Sequence, residues 1–220
     1  MLTSWKQLAG IVLCYLSSFS SKAQATIDYL TPVEGYFSSY PHVHDHYSRV
    51  RDVLYPGLSE YPLVHIIGIP SLLSEYVLSI EQQKHNDPHY FLIYKQSKNN
   101  LFSTYPKKEG EQVVVDTKQV EIRPELALAL ADLFTTVVQQ VRYPSIAPHD
   151  VFEDTTFIFV TFPQGLDVRA GQTESAAAGP TLAALLAITR RLQLLATRRP
   201  DQEVQQTLLK EVNFLRSQVR

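Results

Sequence analysis

The chain has 220 residues, a formal net charge of −2, 45% hydrophobic side chains and one cysteine. That is enough for one substantial domain with its own core. The near-neutral charge, with no large basic stripe, argues against a nucleic-acid binder, and a single cysteine excludes a disulfide scaffold.

The first 25 residues differ in kind from the rest. Lys6 supplies a positive start, Leu8 to Phe19 an apolar run, and Ala23-Gln24-Ala25 an A-x-A cleavage site. The run is short of the ~20 residues a transmembrane helix needs. The segment therefore reads as a secretory signal peptide removed after Ala25, with an uncleaved anchor as the alternative. Cys14 follows Ile11-Val12-Leu13 rather than a small residue, which disfavours lipidation. Loss of Lys6 and Lys22 leaves 18 basic against 22 acidic residues, net −4, and no cysteine. Thiolate metal sites and cysteine nucleophiles are then excluded. The expected location is periplasmic or secreted. The leader, ending in its alanine-glutamine pair, resembles signal peptides common among Bacteroidota.

Residues 26–62 read as an N-terminal arm rich in tyrosine and proline, with Tyr29, Tyr36, Tyr40, Tyr47, Tyr55 and Tyr61. The stretch through Ser39 has no period. Val43, Tyr47, Val50 and Leu54 then set a helical rhythm over 41–54, ended by Pro56-Gly57. Residues 63–220 read as a single α+β domain. Leu63–Ile69 is apolar on both faces apart from His65. Ser74–Gln82 alternates, which predicts Tyr76, Leu78 and Ile80 inward and Ser79 and Glu81 outward. Turns at Asn86-Asp87-Pro88, Lys98-Asn99-Asn100 and Glu109-Gly110 separate expected strands at 89–95, 101–105 and 112–122, an antiparallel meander.

Leu126, Leu130, Leu133, Phe134, Val137, Val138 and Val141 mark a long amphipathic helix that can cover one sheet face. Pro124 suits its first turn and Arg142 its last, before Pro144. Thr155–Phe162 places Phe157 and Phe159 on one face and Ile158, Val160 and Phe162 on the other, an interior strand. Residues 164–179 read as an exposed loop. Two helices close the chain, one from Pro180 and one after Asp201, as an αα-hairpin. Strands followed by helices point to α+β.

His42-Val43-His44-Asp45-His46 is the stretch that invites a metal. On a helix, His42 and His46 stand at i and i+4 and can share one zinc ion. The stretch resembles the inverted zinc-protease signature H-x-x-E-H, with Asp45 in the general-base position. That family has Glu there, and Asp is one methylene shorter. The other reading is a polar helix face with Asp45 and Arg49 as an ion pair.

Arg142-Tyr143-Pro144 and Glu153-Asp154-Thr155-Thr156 flank one loop, so Arg142 and Asp154 are expected to meet as an ion pair, either as a loop clamp or as the edge of a polar pocket. An acidic residue followed by Thr-Thr-aromatic before a strand is similar to uncharacterised secreted bacterial proteins, a resemblance that implies no activity. The tyrosines of 26–61 could form a stacking platform for a glycan or a partner protein. Nucleophile-elbow, P-loop and Rossmann glycine patterns are absent from the sequence. The expectation is an exported, soluble, non-catalytic binding or interaction protein with an unknown protein or glycan partner and no resident cofactor. The alternative is a metal-dependent hydrolase using His42 and His46.

Overall fold

The computed structural model describes residues 27–33, 41–102, 113–143, 154–163, 168–176, 178–198 and 201–219. The leader and the turn at Glu109-Gly110 lie outside them. Helix α1 is Pro41–Leu54. Strands β1 (Tyr61–Pro70), β2 (Tyr76–Gln82), β3 (Tyr90–Ser97) and β4 (Val115–Ile122) follow. Then come α2 (Pro124–Gln139), β5 (Thr155–Thr161), β6 (Arg169–Glu174), α3 (Pro180–Thr197) and α4 (Gln202–Val219).

The six strands form one antiparallel sheet in the order β4-β3-β2-β1-β5-β6. The first four strands are the expected meander. Helix α2 then carries the chain back across the sheet, so that β5 pairs with β1: Ile66 lies opposite Phe159 and Ile67 opposite Ile158. The architecture is mixed α+β with a C-terminal helix pair.

One sheet face carries Ile66, Leu78, Leu92, Val120 and Phe159. It is covered by the apolar stripes of α2, α3 and α4, with Phe134 stacked on Phe159 at 5.4 Å between ring centres. The opposite face carries Ile67, Val77 and Ile158 and is covered by Val50 and Leu54 of α1. Both faces of the central strands are therefore buried. This corrects the half-exposed reading of β2: Ser79 and Glu81 are buried beneath the α1 side of the sheet, not solvated.

Three further expectations are corrected. Residues 169–174, read as loop, form β6 against β5. Leu101 and Phe102, read as the start of a strand, form a turn, and 103–105 lie outside the described residues. Helix α2 ends at Gln139, so Arg142 lies beyond it rather than in its last turn. The chain has by then turned to donate the Arg142 N–H to the Leu30 carbonyl at 2.9 Å.

Residues 27–33 are built into the fold. Leu30 is fully buried in the larger core, and Thr31 and Gln172 exchange backbone hydrogen bonds at the outer edge of β6. A Cβ on Gly171 would lie 2.5 Å from Val141 Cγ2 and 3.0 Å from Leu30 Cβ, so this position of β6 must be glycine for both side chains to approach.

Candidate functional site

The α1 side of the sheet concentrates buried polar side chains: His46, His65, Glu75, Ser79, Glu81, Lys95 and Ser97. Helix α1 brings His46 inward because it lies one turn before Val50, on the face that meets the sheet. Its Nε2 is 3.4 Å from Glu75 Oε1. His42 belongs to the same helix, and its side chain lies outside the described residues. Among the described residues, no group of three or more His, Cys, Asp and Glu side chains is placed to hold a metal ion.

Glu75 is the hub. Its carboxylate accepts the Leu101 N–H at 2.8 Å and the Phe102 N–H at 3.3 Å. Its carbonyl accepts the Ser97 N–H at 3.1 Å and the Ser97 hydroxyl at 3.2 Å. Burial pushes this carboxyl above the usual range, against the pull of the backbone donors and Ser97. Burial, helped by the charge of Arg49, holds the His46 imidazole down at about 4. The same turn is gripped from α1, where Arg49 Nη1 donates to the Leu101 carbonyl at 3.2 Å. The His46 ring meets the Phe102 ring edge-on at 5.2 Å.

These fasteners present an apolar ridge. Phe102 remains 53% exposed, and the neighbouring turn raises Leu72 and Leu73 to 74% and 70% exposure. Asn100 Nδ2 ties the two turns together by donating to the Leu73 carbonyl at 2.7 Å. Ser71 ties the leucine turn to the start of β5 through the Asp154 carbonyl, which its hydroxyl reaches at 2.7 Å. Three large apolar side chains on braced turns cost solvation free energy unless something covers them. Sequence reading missed all three and missed Glu75. A usable signal was present: Leu72-Leu73 sits inside a turn composition, between Pro70-Ser71 and Ser74, where an apolar pair has no core to fill.

A second buried group pins the chain after α1. Glu81 accepts the Ser79 hydroxyl at 2.5 Å and the Ser59 N–H at 3.0 Å, and Lys95 donates to the Pro56 carbonyl. Burial raises the Glu81 carboxyl and lowers the Lys95 ammonium, and each charge partly restores the other. His65 is wedged edge-on between Tyr55 and Phe162, each at 4.9 Å, with both ring nitrogens buried and without a hydrogen-bond partner among the described residues. Burial lowers it to about 4.

The two oxygens of the Glu75 carboxylate contact different groups: Oε2 is 3.5 Å from the Ser97 hydroxyl and Oε1 is 3.4 Å from His46 Nε2. Ser79 spends its proton on Glu81.

The expected ion pair between Arg142 and Asp154 does not form. Asp154 instead accepts the Thr155 N–H at 2.6 Å, the Ala176 N–H at 2.5 Å and the Ser175 hydroxyl, closing the β5–β6 end. The Arg142 guanidinium lies over the Tyr29 ring, 5.7 Å from its centre. The other described tyrosines of the arm are dispersed: Tyr47 and Tyr55 pack on the smaller core, and Tyr61 meets the His85 ring at 5.7 Å. Tyr36 and Tyr40 lie outside the described residues. Among the described residues, no helix is long and apolar enough to cross a membrane.

The chain matches no protein-family model, no curated protein and no solved structure.

Proposed function

We propose that this protein is an exported, soluble, non-catalytic interaction protein that offers the Leu72, Leu73 and Phe102 ridge to a protein partner. The observation that carries the reading is the cost of that ridge. The fully buried carboxylate of Glu75 is held in place to fasten a turn whose outward product is an exposed phenylalanine. Two leucines and a phenylalanine without a charge among them match the apolar, charge-depleted centre of a protein interface. The buried hydroxyls and carboxylates on the α1 side support the same reading, because they are spent on internal bonds. The net charge of −2 disfavours nucleic acid as the partner.

The test is photo-crosslinking in the producing cell, with the reactive group placed at Leu72. A discrete protein adduct in the envelope or secreted fraction is expected, lost when Leu73 and Phe102 are both replaced by serine. A protein recovered only in the cytoplasm, or adduct formation indifferent to those replacements, contradicts the reading. Capture of a glycan instead would replace the partner class.

A further inference from the structure

The outer surface of the C-terminal helix pair is a second unexplained feature, separate in its residues from the ridge. Helices α3 and α4 bury Leu185, Leu192, Leu208 and Val212 inward, yet they also expose apolar side chains outward. Leu194 and Val204 are each 47% exposed, and Phe214 is 65% exposed. Two hollows of about 550 and 400 Å³ run between the helices on this surface. Leu194 and Val204 line one, and Phe214 lines the other with Ala184 and Ala187. Between them Arg191 Nη1 meets Glu211 Oε1 at 2.6 Å.

Net charge is divided by helix, and size is divided at one end. The α3 side of the hollows carries Arg191 and Arg198, and the α4 side carries Asp201, Glu203 and Glu211 with one base, Lys210. Towards one end, α3 offers small alanines at the level where α4 offers the bulky Phe214. A surface with net positive charge on one edge, net negative charge on the other, and small residues facing a bulky one at one end is complementary to itself. A two-fold axis parallel to the helices lays α3 of one copy over α4 of the other at the same level. Each Phe214 then meets the alanines of the second copy, Leu194 meets Val204, and Arg191 comes level with the second copy's Glu211.

We infer that the outer face of the α3–α4 pair is an isologous interface occupied by a second copy of this chain, with Phe214 as its anchor. The four facing helices form a layer of the kind seen in helix bundles. Opposite charges at matching levels fix its register. This inference stands apart from the ridge reading. A dimer would leave two ridges free and make capture of a repeated partner bivalent.

The test is sedimentation equilibrium on the full native chain. A dimer is expected, with its dissociation constant raised by more than about tenfold in Phe214→Glu. Ala187→Glu, at an exposed position, checks the same contact should the first variant lose its native melting transition. Arg191→Glu and Glu211→Arg separately place like charges across the interface. Each should weaken the dimer, and an equimolar mixture of the two should restore it as a heterodimer. A native chain that stays monomeric at its solubility limit overturns the inference. So does a dimer indifferent to both Phe214→Glu and Ala187→Glu, or a mixture that fails to restore association.

Discussion

Asp28 caps helix α3 from 153 positions away. Its Oδ1 accepts the Thr181 N–H at 2.7 Å and its Oδ2 accepts the Thr181 hydroxyl at 2.7 Å. The Leu182 N–H also reaches Oδ1, at 3.1 Å. Gly179, at the position where a capping side chain normally stands, has none to offer, and the helix dipole favours the carboxylate. Asp28→Ala is expected to lower stability by about 1 kcal/mol, the usual worth of a helix cap. Asp28→Asn should keep most of it. Urea denaturation of the two variants beside the parent checks this, and an unchanged midpoint in the alanine variant would count against the cap.

His65 makes stability depend on acidity. Its folded value of about 4 lies below the ordinary 6.5, so the unfolded chain binds the proton first. Above about pH 6.5 neither state is protonated and the group contributes nothing. As pH falls from 6.5 towards 4, stability should decline by on the order of 3 kcal/mol, and then level off. Glu75 and Glu81, both raised by burial, act in the opposite sense by taking up protons earlier in the folded state. The readout is therefore a difference: the gap between His65→Leu and the parent should change in favour of the variant as acid is added. Parallel pH profiles for the two would show that His65 is not the group responsible.

Glu75 sets the ridge. Glu75→Ala leaves the Leu101 and Phe102 N–H groups without their acceptor, at about 1–3 kcal/mol for the buried Leu101 donor and less for the half-exposed Phe102. Glu75→Gln retains one acceptor oxygen and should lose less. Amide hydrogen exchange at Leu101 and Phe102 should accelerate markedly in the alanine variant while α2 amides remain protected. Uniform acceleration across the chain would mean that Glu75 holds the whole domain rather than the turn.

The parts of the fold legible in sequence were those with an apolar period and punctuation. Helix α1 shows through Tyr47, Val50 and Leu54, and β5 through alternating phenylalanine and β-branched residues with proline after it. Ser79 and Glu81 were misread because polar residues alternating with apolar ones normally mark a solvated face. Here that face lies under a helix contributed by an earlier segment, and the two side chains satisfy each other. Strand β6 carries almost no apolar signal, because close approach of Val141 and Leu30 demands glycine at its centre. The site was half visible. His46 stood out by its spacing from His42, whereas its neighbour Glu75 is brought to it by the pairing of distant elements, which no local pattern records.

The central claim, that this protein binds rather than catalyses, is tested most directly by metal content. The protein should be prepared from Thr26 onward, without a histidine tag, and its transition metals measured after dialysis. The account predicts far less than one zinc per chain and a melting temperature indifferent to chelator. Stoichiometric zinc that disappears in the His42→Ala, His46→Ala double variant would contradict it. The hydrolase reading would then lead, with Glu75, 3.4 Å from His46, as the first candidate for a further ligand.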